Sequence, residues 1–107
     1  MEKKLGVKYD SDKPRMELLP FDALEEVAKV LTTGSIKYAD DNWRIVPEAI
    51  RRYKGALLRH YAAIYKGELR DHETGLLHSA HLACCALFLV SLQLEEENKK
   101  LITINSK

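Results

Sequence analysis

The sequence predicts an all-α domain, a small bundle in which two long antiparallel helices form a hairpin and a third helix packs across it. Three segments carry apolar residues three or four positions apart, which is the period of one face of a helix. The linkers between them hold Gly, Pro, Asp and Asn, the residues that favour turns. We expect one domain over residues 1–107, with an extended arm at 1–20, a helical core at 21–97 and a tail at 98–107.

The first helix is predicted over residues 21–33. Its apolar face holds Phe21, Leu24, Val27, Ala28 and Leu31. Pro20 suits the start of this helix, and Gly34 suits its end because glycine adopts the left-handed conformation that follows many helices. The segment 35–44 is then a turn-rich loop that displays Trp43, which either anchors the loop to the core or stacks on the base of a ligand.

Helix two is predicted over residues 46–67 and helix three over residues 73–97. Gly67 sits where a left-handed cap ends helix two, and Asp71 offers the side-chain oxygen that an N-cap needs. Asp71 as a cap and Asp71 as a metal ligand are compatible if different oxygens serve the two roles. The tail after helix three is either a frayed end or a short added strand.

Composition argues against several classes of partner and location. Lys and Arg number 17 against 16 Asp and Glu, so a formal charge of +1 gives no field that attracts a nucleic acid polymer or a membrane surface. The apolar segment 76–94 is nearly long enough to span a bilayer, but it contains His78 and His81, which argue against that interpretation. Adjacent Cys84 and Cys85 in an apolar run indicate buried free thiols and a reducing, cytoplasmic setting.

The polar residues of the predicted hairpin gather around the turn that joins its two helices, which we call the mouth of the hairpin. With the turn centred near residues 70 and 71, His60 lies level with His81, and His78 shares a helix face with His81. The carboxylates that flank the turn are Glu68, Asp71 and Glu73. Imidazoles and carboxylates in one groove suit a divalent cation or acid–base chemistry. The alternative is that His60 and His81 are core residues whose hydrogen bonds are purely structural.

Two stretches of the sequence carry a family resemblance. They are LLPFDALEEVAKVLTTGSIKYADDNWR from residue 18 and LLRHYAAIYKGELRDHETGLLHSAHLACCALFLV from residue 57. Together they resemble the N-terminal domain of phage dATP/dGTP diphosphohydrolases, a family allied with the all-α, MazG-like nucleotide pyrophosphohydrolases. The resemblance implies an enzyme that cleaves dATP or dGTP to the monophosphate and pyrophosphate, with Mg²⁺ held by carboxylates from two helices.

The metal motifs of the MazG-like group are only partly present. Glu68-Leu-Arg-Asp71 matches a Glu-x-x-Asp run on one helix, whereas the other run survives as Glu25-Glu26 with Lys29 in place of its last Glu. Spacing and resemblance together give these expected metal ligands: Glu25, His60, Glu68, Asp71, Glu73, His78 and His81. Because imidazole is a poor ligand for Mg²⁺, a histidine-rich set also admits Mn²⁺ or another divalent transition metal.

Residue type, position in the hairpin and the resemblance together suggest roles for individual residues. We expect Glu68, Asp71 and His81 to be catalytic. The residues expected to bind the nucleotide are Lys37, Tyr38, Asn42, Trp43 and Arg59. Two other hypotheses stay open. One is a histidine–metal phosphohydrolase that acts on a different phosphate ester, and the other is a non-catalytic helical oligomerisation or interaction module with structural histidines.

Helix three also predicts self-association. Its apolar residues between 82 and 94 point in nearly every direction, so one partner helix and one short helix cannot cover them all. We therefore expect a homo-oligomer, a dimer or a tetramer, assembled through helix three and parts of helix two. The resemblance implies the same kind of assembly and sites that adjacent subunits share.

Overall fold

The computed structural model describes residues 5–105, with side chains up to residue 102. Three α-helices make up the fold: α1 at Phe21–Lys37, α2 at Ala49–Tyr65 and α3 at His78–Asn105. Short 3-10 turns at Met16–Leu18 and Asn42–Ile45 precede α1 and α2 respectively. Within the described residues no β-strand forms, and a single isolated bridge joins Arg70 to Leu77. The predicted all-α class is confirmed.

Helix α1 continues past the end predicted at residue 33. Gly34 lies inside the helix, where glycine costs about 1 kcal/mol relative to alanine but leaves the hydrogen-bond ladder intact. The backbone N–H of Tyr38 donates to the carbonyl of Gly34 at 2.9 Å and closes the last turn. The predicted boundary was wrong because glycine in a helix is penalised rather than forbidden.

Helix α3 begins at His78 rather than at residue 73, because the preceding residues are held in a turn. It then runs to Asn105, so the predicted tail at 98–107 is helical over its described part and forms no strand there. With 28 residues, α3 is roughly 42 Å long and outreaches α2. No helix among the described residues is both long and apolar enough to cross a membrane.

Helix α3 is the central element, and both α1 and α2 pack against it. Tyr53 contacts Phe88 and His60 contacts His81, so α2 runs antiparallel to α3 in the register that the turn position predicts. The buried apolar side chains are Val27, Ala80, Cys84, Cys85 and Leu92. Burial raises the pKa of the Cys84 thiol to about 12, so this free cysteine acts as a small apolar residue.

Trp43 fastens the loop before α2 to α3. Its ring stacks on Phe88 with centroids 4.2 Å apart and planes at 8°. The Tyr53 hydroxyl donates to the Trp43 carbonyl at 3.4 Å, and the guanidinium of Arg44 lies 4.3 Å from the centroid of the indole ring. Of the two roles predicted for Trp43, the structure shows the first: the ring anchors the loop to the core.

Candidate functional site

The mouth of the hairpin is formed by residues 66–77, which connect α2 to α3. Helix α2 ends in a Schellman motif, in which Gly67 N–H donates to the Ile64 carbonyl at 2.9 Å and Glu68 N–H donates to the Ala63 carbonyl at 3.0 Å. Gly67 has a φ of 93°, so it is the cap that the sequence predicts. The motif turns the chain back and brings Glu68 to the histidines.

Asp71 organises the second half of this loop. Its Oδ1 accepts hydrogen bonds from the backbone N–H groups of Glu73 at 2.7 Å and Thr74 at 3.0 Å. Its own N–H donates to the Leu76 carbonyl at 2.8 Å, and its carbonyl accepts from Gly75 N–H at 2.7 Å. Asp71 therefore caps a turn rather than helix three. Its other oxygen, Oδ2, accepts no hydrogen bond from any residue that the structure describes.

His60 on α2 and His78 on α3 are in direct contact. Their Nδ1 atoms lie 2.9 Å apart, and His78 Nε2 lies 3.3 Å from Oε2 of Glu68. An ionised carboxylate can only accept, so His78 donates its Nε2–H to Glu68 and, when neutral, presents a lone pair at Nδ1. With both rings neutral, His60 then donates its Nδ1–H to that lone pair. His78 is only 5% exposed, so this chain of hydrogen bonds fixes a buried imidazole.

His60, Asp71 and His78 form a compact donor set. One ligand atom from each residue lies within 4.8 Å of the ligand atoms of the other two. These atoms come from α2, the loop and α3 respectively, so the hairpin turn itself assembles the set. All three residues are among those expected from the sequence to bind a metal.

His81 lies against this donor set without belonging to it. Its ring stacks on that of His60, with centroids 4.6 Å apart and planes at 12°. Its Nε2 lies 2.8 Å from Oγ1 of Thr74, and this oxygen also accepts the N–H of Leu76 at 3.2 Å. Thr74 is a site residue that sequence reasoning missed. It lies in an irregular turn, so no helical spacing relates it to His81.

The side chains of two expected metal ligands, Glu73 and Glu25, lie away from the histidine cluster. Glu73 contributes its backbone N–H to the Asp71 turn, while its exposed carboxylate lies 3.5 Å from the ammonium of Lys37 on α1. Glu25 is exposed on α1 and is not part of the donor set. The neighbouring Glu26 forms an ion pair with Lys29 at 2.8 Å. Lys29, which stands where the resemblance requires another carboxylate, thus neutralises the charge of Glu26.

A cleft of about 1150 Å³ opens between the end of α1, the loop before α2 and the middle of α3. The predicted nucleotide-binding residues that line it are Tyr38, Asn42, Trp43 and Arg59. Lys37 does not line it, because this side chain reaches Glu73 instead. The sequence analysis did not single out Phe88, which forms part of the cleft wall and holds Trp43 in place.

The cleft lies close to the histidine cluster. Arg59 lines the cleft, and His60, its neighbour in the sequence, belongs to the donor set. Cys84 also lines the cleft, at one helical turn from His81, which corresponds to a rise of roughly 4.5 Å along α3. The two regions are therefore connected through neighbouring positions on α2 and α3.

Burial and mutual contacts shift the pKa values of His60, His81 and Asp71. Burial lowers the pKa of His60, and the neighbouring His81 and His78 lower it further. Burial also lowers the pKa of His81. Burial alone raises the pKa of Asp71, but the hydrogen bonds from Thr74 and Glu73 and the nearby imidazoles outweigh this effect, so its pKa is lowered. Neutral imidazoles beside an ionised carboxylate are suited to binding a cation or accepting a proton.

These features define a class of protein, a small all-α domain with an imidazole and carboxylate site at the mouth of a helical hairpin. The chain belongs to the family described as "dATP/dGTP diphosphohydrolase, N-terminal", whose model matches residues 3–101. A protein named dATP/dGTP diphosphohydrolase, from Salmonella phage PMBT28, is 38% identical over 84 residues. The match covers 78% of this chain but only 28% of that relative. No solved structure matches the chain.

Proposed function

We propose that this domain hydrolyses purine deoxynucleoside triphosphates, such as dATP and dGTP, to the monophosphate and pyrophosphate in a metal-dependent reaction. Family membership and the name of the phage relative support a nucleotide diphosphohydrolase. The kinship with MazG-like enzymes remains a prediction. Because the chain spans less than a third of that relative, catalysis by this domain alone is part of the proposal.

One observation carries the proposal: the donor set of His60, Asp71 and His78 lies beside a cleft that has the volume to hold a nucleotide. Ligand pockets are typically about 300–1,000 Å³, so a cleft of about 1150 Å³ has room for a base, a sugar and a triphosphate. Both regions use neighbouring positions on α2 and α3, and in the proposal a phosphate chain joins them.

The chemistry divides between these two regions. A divalent ion, when bound by the donor set, supplies charge that neutralises phosphate oxygens and acidifies a water molecule. In the proposed reaction, the water oxygen bonds to the α-phosphorus, and the bond from that phosphorus to the oxygen bridging to the β-phosphorus breaks. Pyrophosphate leaves with the bonding electrons, and a neutral imidazole accepts the proton of the water. His81, whose pKa is lowered by burial, is our candidate for that base.

The cleft supplies cations and a ring for binding. Arg52 and Arg59 lie on its α2 wall, and guanidinium groups bind phosphate oxygens with paired hydrogen bonds. Trp43 is stacked between Phe88 and Arg44, so its ring offers no face to a base unless Arg44 moves. Tyr38 is 64% exposed and lines the same cleft. The ammonium of Lys37 lies over one face of the Tyr38 ring, 5.2 Å from its centroid. Tyr38 is our candidate for stacking on the base through its other face.

Product analysis tests the proposed reaction. The chain is incubated with dATP, dGTP and the other nucleoside triphosphates in the presence of Mg²⁺ or Mn²⁺, and all products are separated by chromatography. We expect monophosphate and pyrophosphate, fastest from the purine deoxynucleotides. Orthophosphate or triphosphate as the product would instead favour a histidine–metal phosphohydrolase of another specificity. No product with any substrate, together with no nucleotide binding by calorimetry, would favour the interaction module.

We further propose that the chain works as a homo-oligomer, at least a dimer. It exposes 9147 Å², whereas a compact monomer of 12.2 kDa exposes about 6100 Å². Its radius of gyration is 18.8 Å, against about 13 Å for a compact chain of this length. The extended arm contributes to this excess, and so does an apolar stripe on α3.

This stripe, the α3 seam, consists of Val90, Leu94 and Leu101, which are 54%, 55% and 57% exposed. Its spacings of four and seven are those of a coiled-coil face. The contacts of Tyr53 and His60 with α3 place the start of α2 opposite residues near 92, so the rest of α3 extends past α2. A second copy docked along the seam would cover it, and the surplus surface exceeds the roughly 800 Å² per partner of a standard interface.

A further inference from the structure

The resemblance to carboxylate-based enzymes implies Mg²⁺, but the donor set at the hairpin mouth fits this ion poorly. Mg²⁺ prefers oxygen ligands, whereas two of the three donors at this site are imidazole nitrogens. We infer that His60, His78 and Asp71 form a site for a first-row transition metal ion of the Zn²⁺ or Co²⁺ type, in preference to Mg²⁺. The inference concerns the site of the proposed function and adds the identity of its metal.

The separation of the two imidazole nitrogens is the first argument. The Nδ1 atoms of His60 and His78 are 2.9 Å apart. Two nitrogens at about 2.1 Å from one metal lie roughly 3.0 Å apart when they subtend a right angle and roughly 3.4 Å apart in a tetrahedron. The nitrogens therefore need little change in separation to hold one metal ion in place of the shared proton. Because the two ring centroids lie 5.2 Å apart, each lone pair points along the line between the nitrogens, so both rings must turn for the lone pairs to converge on the ion. Both nitrogens are already on one side of the hairpin and face each other.

The orientation of His78 is the second argument. Its Nε2–H donates to Glu68 at 3.3 Å, which leaves the Nδ1 lone pair directed at His60. A ligating histidine almost always donates its other ring N–H to a carboxylate or carbonyl in this way. His78 is 5% exposed and Glu68 is exposed, so the carboxylate orients a buried ligand from outside the donor set. Glu68 is thus a positioning residue for the metal rather than a ligand.

Asp71 supplies the third argument. Backbone N–H groups of Glu73 and Thr74 hold its Oδ1, so the carboxylate is fixed by the turn before any ion arrives. Among the described residues no group donates to Oδ2, which leaves one oxygen for a cation. Two histidines and one carboxylate are a ligand set of transition-metal sites that keep open positions for water or substrate.

Metal binding without nucleotide tests this inference. The purified chain, stripped with a chelator, is titrated with Zn²⁺ by calorimetry and with Co²⁺ by visible absorption. We expect one ion per chain, a Co²⁺ spectrum typical of nitrogen ligation, and no displacement of Zn²⁺ by a roughly thousandfold excess of Mg²⁺. His60→Asn and His78→Asn should each weaken Zn²⁺ binding by more than about 100-fold, and Glu68→Gln by about 10- to 100-fold.

His72 provides the matched control, because it is an exposed histidine in the same loop and lies outside the donor set. His72→Asn should bind Zn²⁺ as the parent chain does. Circular dichroism of every variant separates loss of a ligand from loss of the fold. Equal Zn²⁺ affinity in the parent and in folded His60→Asn would overturn the inference, as would displacement of Zn²⁺ by Mg²⁺ at similar concentrations.

The binding test and the activity test fail independently. A chain that binds Zn²⁺ at these residues but hydrolyses no nucleotide keeps the metal site and loses the proposed function. A chain that hydrolyses dATP or dGTP, but whose folded His60→Asn variant binds Zn²⁺ as tightly as the parent does, keeps the function and loses the metal site.

Discussion

The two ends of the helical hairpin are built in opposite ways. At the mouth, hydrogen bonds hold the side chains of His60, His78 and Asp71, and His78 is buried. At the other end, α3 extends past α2 and presents Leu94 and Leu101 to solvent. The mouth holds its geometry through contacts within one chain, whereas apolar side chains at the free end stay exposed in the single chain. This difference is the basis for proposing chemistry at the first end and association at the second.

The largest effect is expected from removing the hydrogen bonds of His78 at the mouth. His78→Asn removes both the nitrogen that faces His60 and the donor to Glu68. We expect dATP and dGTP hydrolysis to fall by at least about 100-fold, because the metal and the acid–base groups are disturbed together. Initial rates with saturating metal measure the effect, and the exposed His72→Asn serves as the control. Full activity in a folded His78→Asn variant would exclude a catalytic role for the pair.

The next largest effect is expected from removing the aromatic anchor that lies between the two ends of the hairpin. Phe88→Ala removes the ring on which Trp43 stacks and Tyr53 packs edge-on. We expect a loss of about 3 kcal/mol or more in the free energy of unfolding, the cost typical of truncating a packed aromatic side chain. Urea denaturation measures it. A loss below about 1 kcal/mol, the size of a surface effect, would show that the loop is not anchored by this ring.

Charge substitutions in the α3 seam test whether the chain associates through its free end. Val90→Lys and Leu94→Lys together place two ammonium groups on the face that a second copy would cover. We expect the parent chain to run as a dimer or larger species in light scattering and the double variant as a 12.2 kDa monomer. Ile36→Lys, an exposed apolar position on α1, should leave the assembly unchanged. A monomeric parent chain at micromolar concentration would refute the assembly.

Much of the mouth could be predicted from the sequence because it depends on regular geometry. An antiparallel hairpin with a known turn fixes which helical positions meet, and His60 does face His81. The cap at Gly67 follows from the conformational freedom of glycine. The role of Thr74 and the late start of α3 were missed, because the 71–77 turn is held by irregular hydrogen bonds that have no sequence period.

The cleft was less predictable than the mouth for a similar reason. Its residues come from the end of α1, an irregular loop and the side of α3, and their distances depend on how α1 crosses the hairpin. The sequence left Trp43 open between an anchor for the loop and a ring that stacks on a base. The actual contact between Trp43 and Phe88 shows that the same ring was needed to hold the loop.

The pH dependence of stability reports on His60 and His81, the two half-buried imidazoles of the mouth. The pKa values of His60 and His81 are lowered in the folded state, so protons bind more readily to the unfolded chain. Their contribution is therefore fully present above the ordinary histidine pKa of about 6.5 and is lost as the pH falls towards the lowered values. Melting temperatures in the presence of a chelator should decrease from pH 8 to pH 5.5, roughly the range of histidine titration.

Substitution separates this effect from other titrations in the chain. In His81→Gln the decrease between these pH values should be smaller than in the parent, whereas His72→Asn should keep the full slope because His72 is exposed. The same slope in all three proteins would mean that the buried imidazoles do not govern acid stability. This outcome would weaken the contrast between a mouth whose side chains are held by hydrogen bonds and a free end whose side chains are exposed.

The smallest effects come from two glycines whose substitution by alanine should act in opposite directions. Gly75 lies in the turn at the mouth with a φ of 74°, and a Cβ there meets no atom within 4 Å, so the whole cost of alanine is backbone strain. We expect Gly75→Ala to destabilise the fold by about 1–2 kcal/mol. Gly34 lies in α1, where a Cβ also meets nothing, so Gly34→Ala should stabilise it by about 0.5–1 kcal/mol. Urea denaturation of both variants gives the two signs, and a neutral Gly75→Ala would mean that the turn around Asp71 adapts and does not hold the carboxylate in place.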